Sequence, residues 1–210
     1  MSDIKKIKLS YQMGHKHWVG NGFNVFAAIR PNKEIIPFIS PFILMDYAEP
    51  KKFSPSPSKK GVGEHPHRGF ETVTFAYQGE VEHRDSTGGG GIIKPGDVQW
   101  MTAGSGIIHD EFHSNSFNQT GGVFEMVQLW VNLPQKFKMT PPKYQGISKE
   151  KIPQKSINEE SYIRVVAGSL EGINGPASTF SDINIFDIRN DGNERIKLDF
   201  KKGSNTILLV

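Results

Sequence analysis

The chain contains no cysteine. That removes disulfides, thiolate metal ligands and a cysteine nucleophile together, so any metal must be held by nitrogen and oxygen donors. Long apolar runs are missing as well. The N-terminal stretch MSDIKKIKLSYQMGHKHWVG has no apolar core of signal-peptide length, and no window approaches a membrane span. A cytoplasmic protein without a membrane partner is the expectation. Excess charge is also scarce: 25 Lys and Arg stand against 22 Asp and Glu, a formal charge of +3. The pI near 9.0 reflects this small surplus and not a basic stripe, so direct nucleic-acid binding is not expected.

What the chain does have is 22 Gly and 13 Pro beside 36% hydrophobic residues, a balance that favours many short strands joined by turns. Period-two alternation runs through the first two thirds. In ETVTFAY, residues 71, 73, 75 and 77 share one face, and QGE then turns the chain into VEHRD, the pattern of a hairpin. IIKPGDVQWM and GGVFEMVQLWVNLP read as further strands, the second ended by Pro134. Gly88 to Gly91 form a wide turn, because no GK[ST] ending or helix follows them. Three segments result: residues 1–133 as one strand-rich domain, 134–160 as a proline- and lysine-rich linker, and 161–210 as a second set of about four strands in YIRVVAG, STFSDINIFDIRN, ERIKLDF and NTILLV. All seven histidines precede residue 114, so the second set has no histidine site of its own.

The chemistry concentrates in GEHPHRGFETV and GSGIIHDEF. In an extended strand, residues two apart point to the same face, so His65 converges with His67, and His109 with Glu111. If the two segments are neighbours, three imidazoles and a carboxylate meet. Such a donor set suits a six-coordinate divalent transition metal with two open positions. Iron(II) is the natural candidate, Mn, Co and Ni fit the same donors, and Zn is a further option. Glu71 lies in phase with His65 and His67 and is the rival carboxylate. His113 is expected to be near the site or at the surface, His83 to serve a surface cross-strand role, and His15 and His17 to face solvent on an edge strand. Val73, Phe75, Trp100, Phe112 and Met126 are candidates to line an apolar cavity for a small aromatic ligand.

HPHRGFETVTF at 65–75 and GDVQWMTAGSGIIHDE at 96–111, with weaker support from HWVGNGF near the start and VAGSLEGINGPASTF at 166–180, resemble the pirin family of the cupin superfamily. The resemblance implies an all-β bicupin: two antiparallel jelly-roll barrels, the first holding the metal and the second, here incomplete at its C-terminal end, without ligands. It places the metal ligands on His65, His67, His109 and Glu111. Glu71 then becomes a residue that accepts an imidazole N–H and orients a ring. It further implies a quercetin 2,3-dioxygenase-like oxidoreductase that opens a flavonol with O2, with Glu111 as the base for the flavonol 3-hydroxyl. Arg68 is expected at the exterior or mouth. The alternative is an iron-binding module whose redox state alters affinity for a protein partner in transcription.

Overall fold

The computed structural model describes residues 4–10, 12–30, 32–192 and 194–210. Ten strands build its first part: β1 (Lys16–Val19), β2 (Phe23–Ile29), β3 (Phe42–Phe53), β4 (Gly61–His67), β5 (Phe70–Gln78), β6 (Val81–Asp85), β7 (Gly90–Ile93), β8 (Val98–Thr102), β9 (Ile107–His113) and β10 (Gly122–Asn132). Strands β3 to β10 divide between two sheets, in the orders β3-β10-β5-β8 and β4-β9-β6-β7, changing sheet at each step except the β6–β7 hairpin, and every pairing is antiparallel. This is the jelly-roll arrangement of two interleaved Greek keys. β1 and β2 extend one edge of the first sheet.

The turn at Gln78–Glu80 is not a hairpin. It carries the chain from β5 in one sheet to β6 in the other, and KPGD at 94–97 does the same between β7 and β8. A sheet crossing and a hairpin need the same turn residues, so alternation flanking a turn cannot tell them apart. Gly79 takes φ +78° there, and a Cβ on it would stand 2.8 Å from the Phe124 ring, so only glycine fits this turn without strain.

Within 134–160, expected as a connection, β11 (Lys143–Ile147) pairs with β8 and becomes the seventh strand of the larger sheet. Beyond it, β12 (Gln154–Ser156), β13 (Tyr162–Ala167) and β16 (Ile185–Arg189) form a three-stranded sheet, with the short pair β14 (Ser169–Leu170) and β15 (Ile173–Asn174) beside it. Residues 194–210 carry no strand, although ERIKLDF and NTILLV alternate as strands do. Alternation becomes a strand only where a neighbour takes the backbone hydrogen bonds, and among the described residues none pairs with this segment.

The two faces of the larger sheet do different work. Val73, Phe75, Val98, Trp100, Val127, Leu129 and Val131 lie on one face and pack with Val166, Ala167, Ile183 and Ile185 of the second part in one buried core. The Gln145 side chain adds a polar tie, exchanging hydrogen bonds with the Ser178 backbone at 2.9 and 3.0 Å. The other face, carrying Thr72, Thr74, Gln99, Met101, Gln128 and Trp130, looks toward the four-stranded sheet. No helix among the described residues is long and apolar enough to cross a membrane.

Candidate metal centre

β9 is the middle of the four-stranded sheet's site region, paired with β4 on one side and β6 on the other. Its burial alternates strictly, with Ile107, His109, Glu111 and His113 buried and Ile108, Asp110 and Phe112 less so. Register places His65 directly opposite His109 and His67 opposite Ile107. A β-bulge between Val62 and His65 sets the HPH segment in this phase. One ring nitrogen from each of His65, His67 and His109 lies within 4.8 Å of the others, and the three ring centroids stand 4.3 to 4.8 Å apart.

Two of these rings, His67 and His109, are held as neutral donors. Burial, reinforced by the neighbouring imidazoles, pushes His109 down to about 2, and burial with His65 pushes His67 down to about 4. His65 Nδ1 lies 2.8 Å from the Gly63 carbonyl oxygen, to which it donates, leaving Nε2 free to bind. His109 Nε2 is buried and has no hydrogen-bond partner among the described residues, a costly arrangement for a polar atom unless something else takes its lone pair. The residues therefore fit a divalent ion: three imidazoles converge, and one of them, His109, carries a buried ring nitrogen with no partner among the described residues.

Glu111 stands one step deeper. It groups within 4.8 Å with His83 and His109, not with the His65 and His67 nitrogens. Its carboxylate accepts Gln99 Nε2–H on one oxygen and Gln128 Nε2–H at 3.0 Å on the other. Both amides also reach Thr74 Oγ1, at 3.4 and 3.1 Å, so the acid is held on a polar platform supplied by the larger sheet.

Several expectations change. Glu71 is fully buried, but on the face of β5 that looks away from the histidines; it pairs in register with Thr102, which donates to it at 2.7 Å. Burial raises its pKa despite the hydrogen bond from Thr102. It orients no imidazole. Val73, Phe75 and Trp100 likewise belong to the core against the second part, and Phe112 points outward under the Lys59 ammonium at 5.3 Å. Of the five proposed cavity residues only Met126 lies on the inner face, among Phe23, Phe117 and Phe124. His113 is neither at the site nor at the surface: it is 1% exposed, donates through Nε2 to the Gly22 carbonyl at 3.0 Å and stacks on Phe124. His17 and His15 are exposed on and beside the edge strand β1, as expected.

His83 is the residue that the sequence reading misplaced. It is 1% exposed and inside the roll, with Nδ1 3.2 Å from His109 Nδ1 and the ring stacked on Tyr144 at 4.8 Å. The signal was present in VEHRD, where His83 and Asp85 share a face just as His109 and Glu111 do. The wall beside His67 is aromatic: Phe70 and Trp130 stack at 4.4 Å, and their rings lie 5.0 and 5.1 Å from His67. Outside it runs an open groove of about 560 Å³ lined by Pro66, His67, Arg68, Ser86, Ser105 and Gly106 to Ile108. Arg68 is exposed at that mouth.

A jelly roll with converging histidines on its inner face is the cupin-type arrangement. The pirin family's sequence model matches residues 23–131. A Pseudomonas aeruginosa protein named "Putative quercetin 2,3-dioxygenase" is 49% identical over 208 residues, covering 99% of this chain and 72% of that protein. Pirin-1 of Arabidopsis thaliana is 45% identical over 141 residues, 67% of this chain and 45% of its own length. The crystal structure titled quercetin 2,3-dioxygenase from Acinetobacter baumannii superimposes with TM-score 0.82 at 56% identity, over 85% of this chain and 62% of that one. The chain belongs to the pirin family. It spans less than two thirds of the Arabidopsis and Acinetobacter relatives.

Proposed function

We propose that the chain holds one divalent metal, iron(II) in its working form, on His65, His67 and His109 with Glu111 as the carboxylate, and oxidises a flavonol with O2. The observation that carries this reading is the convergence of three imidazoles, one of which, His109, keeps a buried Nε2 with no partner among the described residues. The names of the Pseudomonas and Acinetobacter relatives support the substrate class.

When bound, such an ion supplies a seat for the flavonol oxygen and the redox chemistry that O2 requires. The protein does the rest. His67 and His109 stay neutral, and all three imidazoles, His65 included, offer a ring nitrogen. The stacked Phe70 and Trp130 give a planar apolar face against which a flavonol ring system rests. Glu111 takes the proton of the flavonol 3-hydroxyl. Gln99 and Gln128 hold that carboxylate through one N–H each, so it can accept a proton without losing its place.

The test is flavonol loss followed by absorbance with matched O2 uptake, on protein stripped of metal and reloaded in turn with Fe(II), Mn(II), Co(II) and Ni(II), beside His67→Ala. Metal-dependent turnover that vanishes in the variant is expected, and Glu111→Gln should bind metal yet turn over poorly. Metal binding without flavonol consumption by any ion would refute the dioxygenase reading.

A further inference from the structure

Asp85 and His83 extend His109 into a buried chain, and the metal-centre reading uses neither of them. Asp85 ends β6, and its side chain is wholly buried. Oδ1 accepts the Thr87 backbone N–H at 2.8 Å, the Thr87 hydroxyl at 2.6 Å and the Gly89 N–H at 3.1 Å. Oδ2 is left facing His83 Nε2 at 3.1 Å. Three donors converge on Oδ1, the environment of a carboxylate, so this side chain only accepts. His83 must then carry its proton on Nε2. Its Nδ1 becomes an acceptor, and the atom 3.2 Å away is Nδ1 of His109, which must therefore carry a proton. A neutral imidazole has one N–H, so the lone pair of His109 falls on Nε2, the nitrogen with no partner.

We propose that Asp85 and His83 are positioning residues that fix His109 in the tautomer whose Nε2 binds the metal. The proposal rests on the metal-centre reading above and deepens it. The same three residues could be read differently, because His83, His109 and Glu111 also group within 4.8 Å. His83 has no lone pair to offer there: its Nε2–H faces Asp85 and its Nδ1 accepts from His109 Nδ1. The group acts as a support for one ion and not as a seat for a second. Ligating histidines elsewhere show the same logic, with the remote ring nitrogen held by a partner that sets tautomer and orientation.

Asp85→Asn is the sharpest test, since it changes almost no volume. Three donors hold the side-chain oxygen in the Oδ1 position, so the amide NH2 faces His83 and donates to its Nε2. His83 then carries its proton on Nδ1 and donates to His109, whose proton moves to Nε2 and blocks the ligand atom. In metal-free, 15N-histidine-labelled protein, His109 Nε2 is expected at the unprotonated shift in the wild type and at the protonated shift in Asp85→Asn. Co(II) affinity, measured by competition with a chelating dye, should fall about 10–100-fold. His83→Phe keeps the ring on Tyr144 and removes the acceptor; it too should weaken Co(II) binding by at least about 10-fold, and it stands in if Asp85→Asn does not fold. Wild-type Co(II) affinity in folded Asp85→Asn, with His109 still protonated on Nδ1, would overturn the proposal; so would wild-type affinity in His83→Phe. A wild type that binds no Co(II) but shows the Nδ1–H tautomer, lost in Asp85→Asn, would overturn the metal-centre reading while upholding the chain of hydrogen bonds.

Discussion

Val73 and Thr74 are adjacent on β5 and point in opposite directions, so substituting each in turn tests the assignment of faces on which the site depends. Val73 is fully buried in the core shared with the second part of the chain. Val73→Ala deletes two methyl groups, worth about 1.6 kcal/mol at about 0.8 kcal/mol each, and the cavity left behind brings the cost to about 2–3 kcal/mol. Thr74 Oγ1 instead accepts from Gln99 and Gln128, the two amides that hold Glu111. Thr74→Val preserves shape but leaves these N–H groups unpaired, at about 1–3 kcal/mol. Stability alone does not separate the two variants; the pairing with metal affinity does. Urea unfolding of metal-free protein should show both losses. Co(II) titration should show Val73→Ala within twofold of wild type and Thr74→Val weakened by about tenfold, the scale typical of groups that orient a ligand. Equal weakening of Co(II) binding by both variants, or a Val73→Ala cost below about 0.5 kcal/mol, would refute the reasoning.

Gly89→Ala places a Cβ 2.6 Å from Asp85 Oδ2 and 3.2 Å from Tyr144 Cβ, so the hairpin must shift; a lower melting temperature together with weaker Co(II) binding is expected, and an unchanged pair of values would contradict it. His113 is held at about 4, below its ordinary 6.5, by burial. A base whose folded pKa is depressed contributes stability that is complete above pH 6.5 and is lost as pH falls toward 4, here up to about 3 kcal/mol. In metal-free protein the stability difference between wild type and His113→Gln should therefore shrink across that window, and a pH-independent difference would refute the assignment. Trp130→Ala removes half of the stacked pair beside His67 and should raise the flavonol KM by about tenfold, the worth of one good aromatic contact, with Co(II) affinity within twofold; an unchanged KM would remove this wall from the substrate site.

The convergence of the three histidines was legible because alternation in two short strands puts His65 with His67 and His109 with Glu111, and β4 and β9 do pair with His65 opposite His109. The all-β jelly roll was legible through the same rule and the family resemblance. What escaped was the assignment of faces. Glu71 is in phase with nothing at the site because Gly69, at φ +78°, and the crossing from β4 to β5 reset the phase between His67 and Phe70. Val73, Phe75 and Trp100 looked like cavity residues because a face buried against a second sheet is as apolar as one lining a ligand pocket. His83 escaped because the chain before it was read as a hairpin and not as a crossing into the opposite sheet, which turned an interior position into a surface one. Tyr144 lay in a segment whose prolines and lysines masked the single strand that brings it onto His83.

The central claim is that one ion sits on His65, His67 and His109. Its most direct test is Co(II) stoichiometry and affinity by equilibrium dialysis on the wild type and on His65→Ala, His67→Ala, His109→Ala and His15→Ala, each checked for folding by circular dichroism. One ion per chain, lost or weakened at least about 100-fold by each of the first three changes and unaffected by His15→Ala, is the predicted result. Wild-type affinity in folded His65→Ala and His67→Ala would contradict it and place any ion elsewhere.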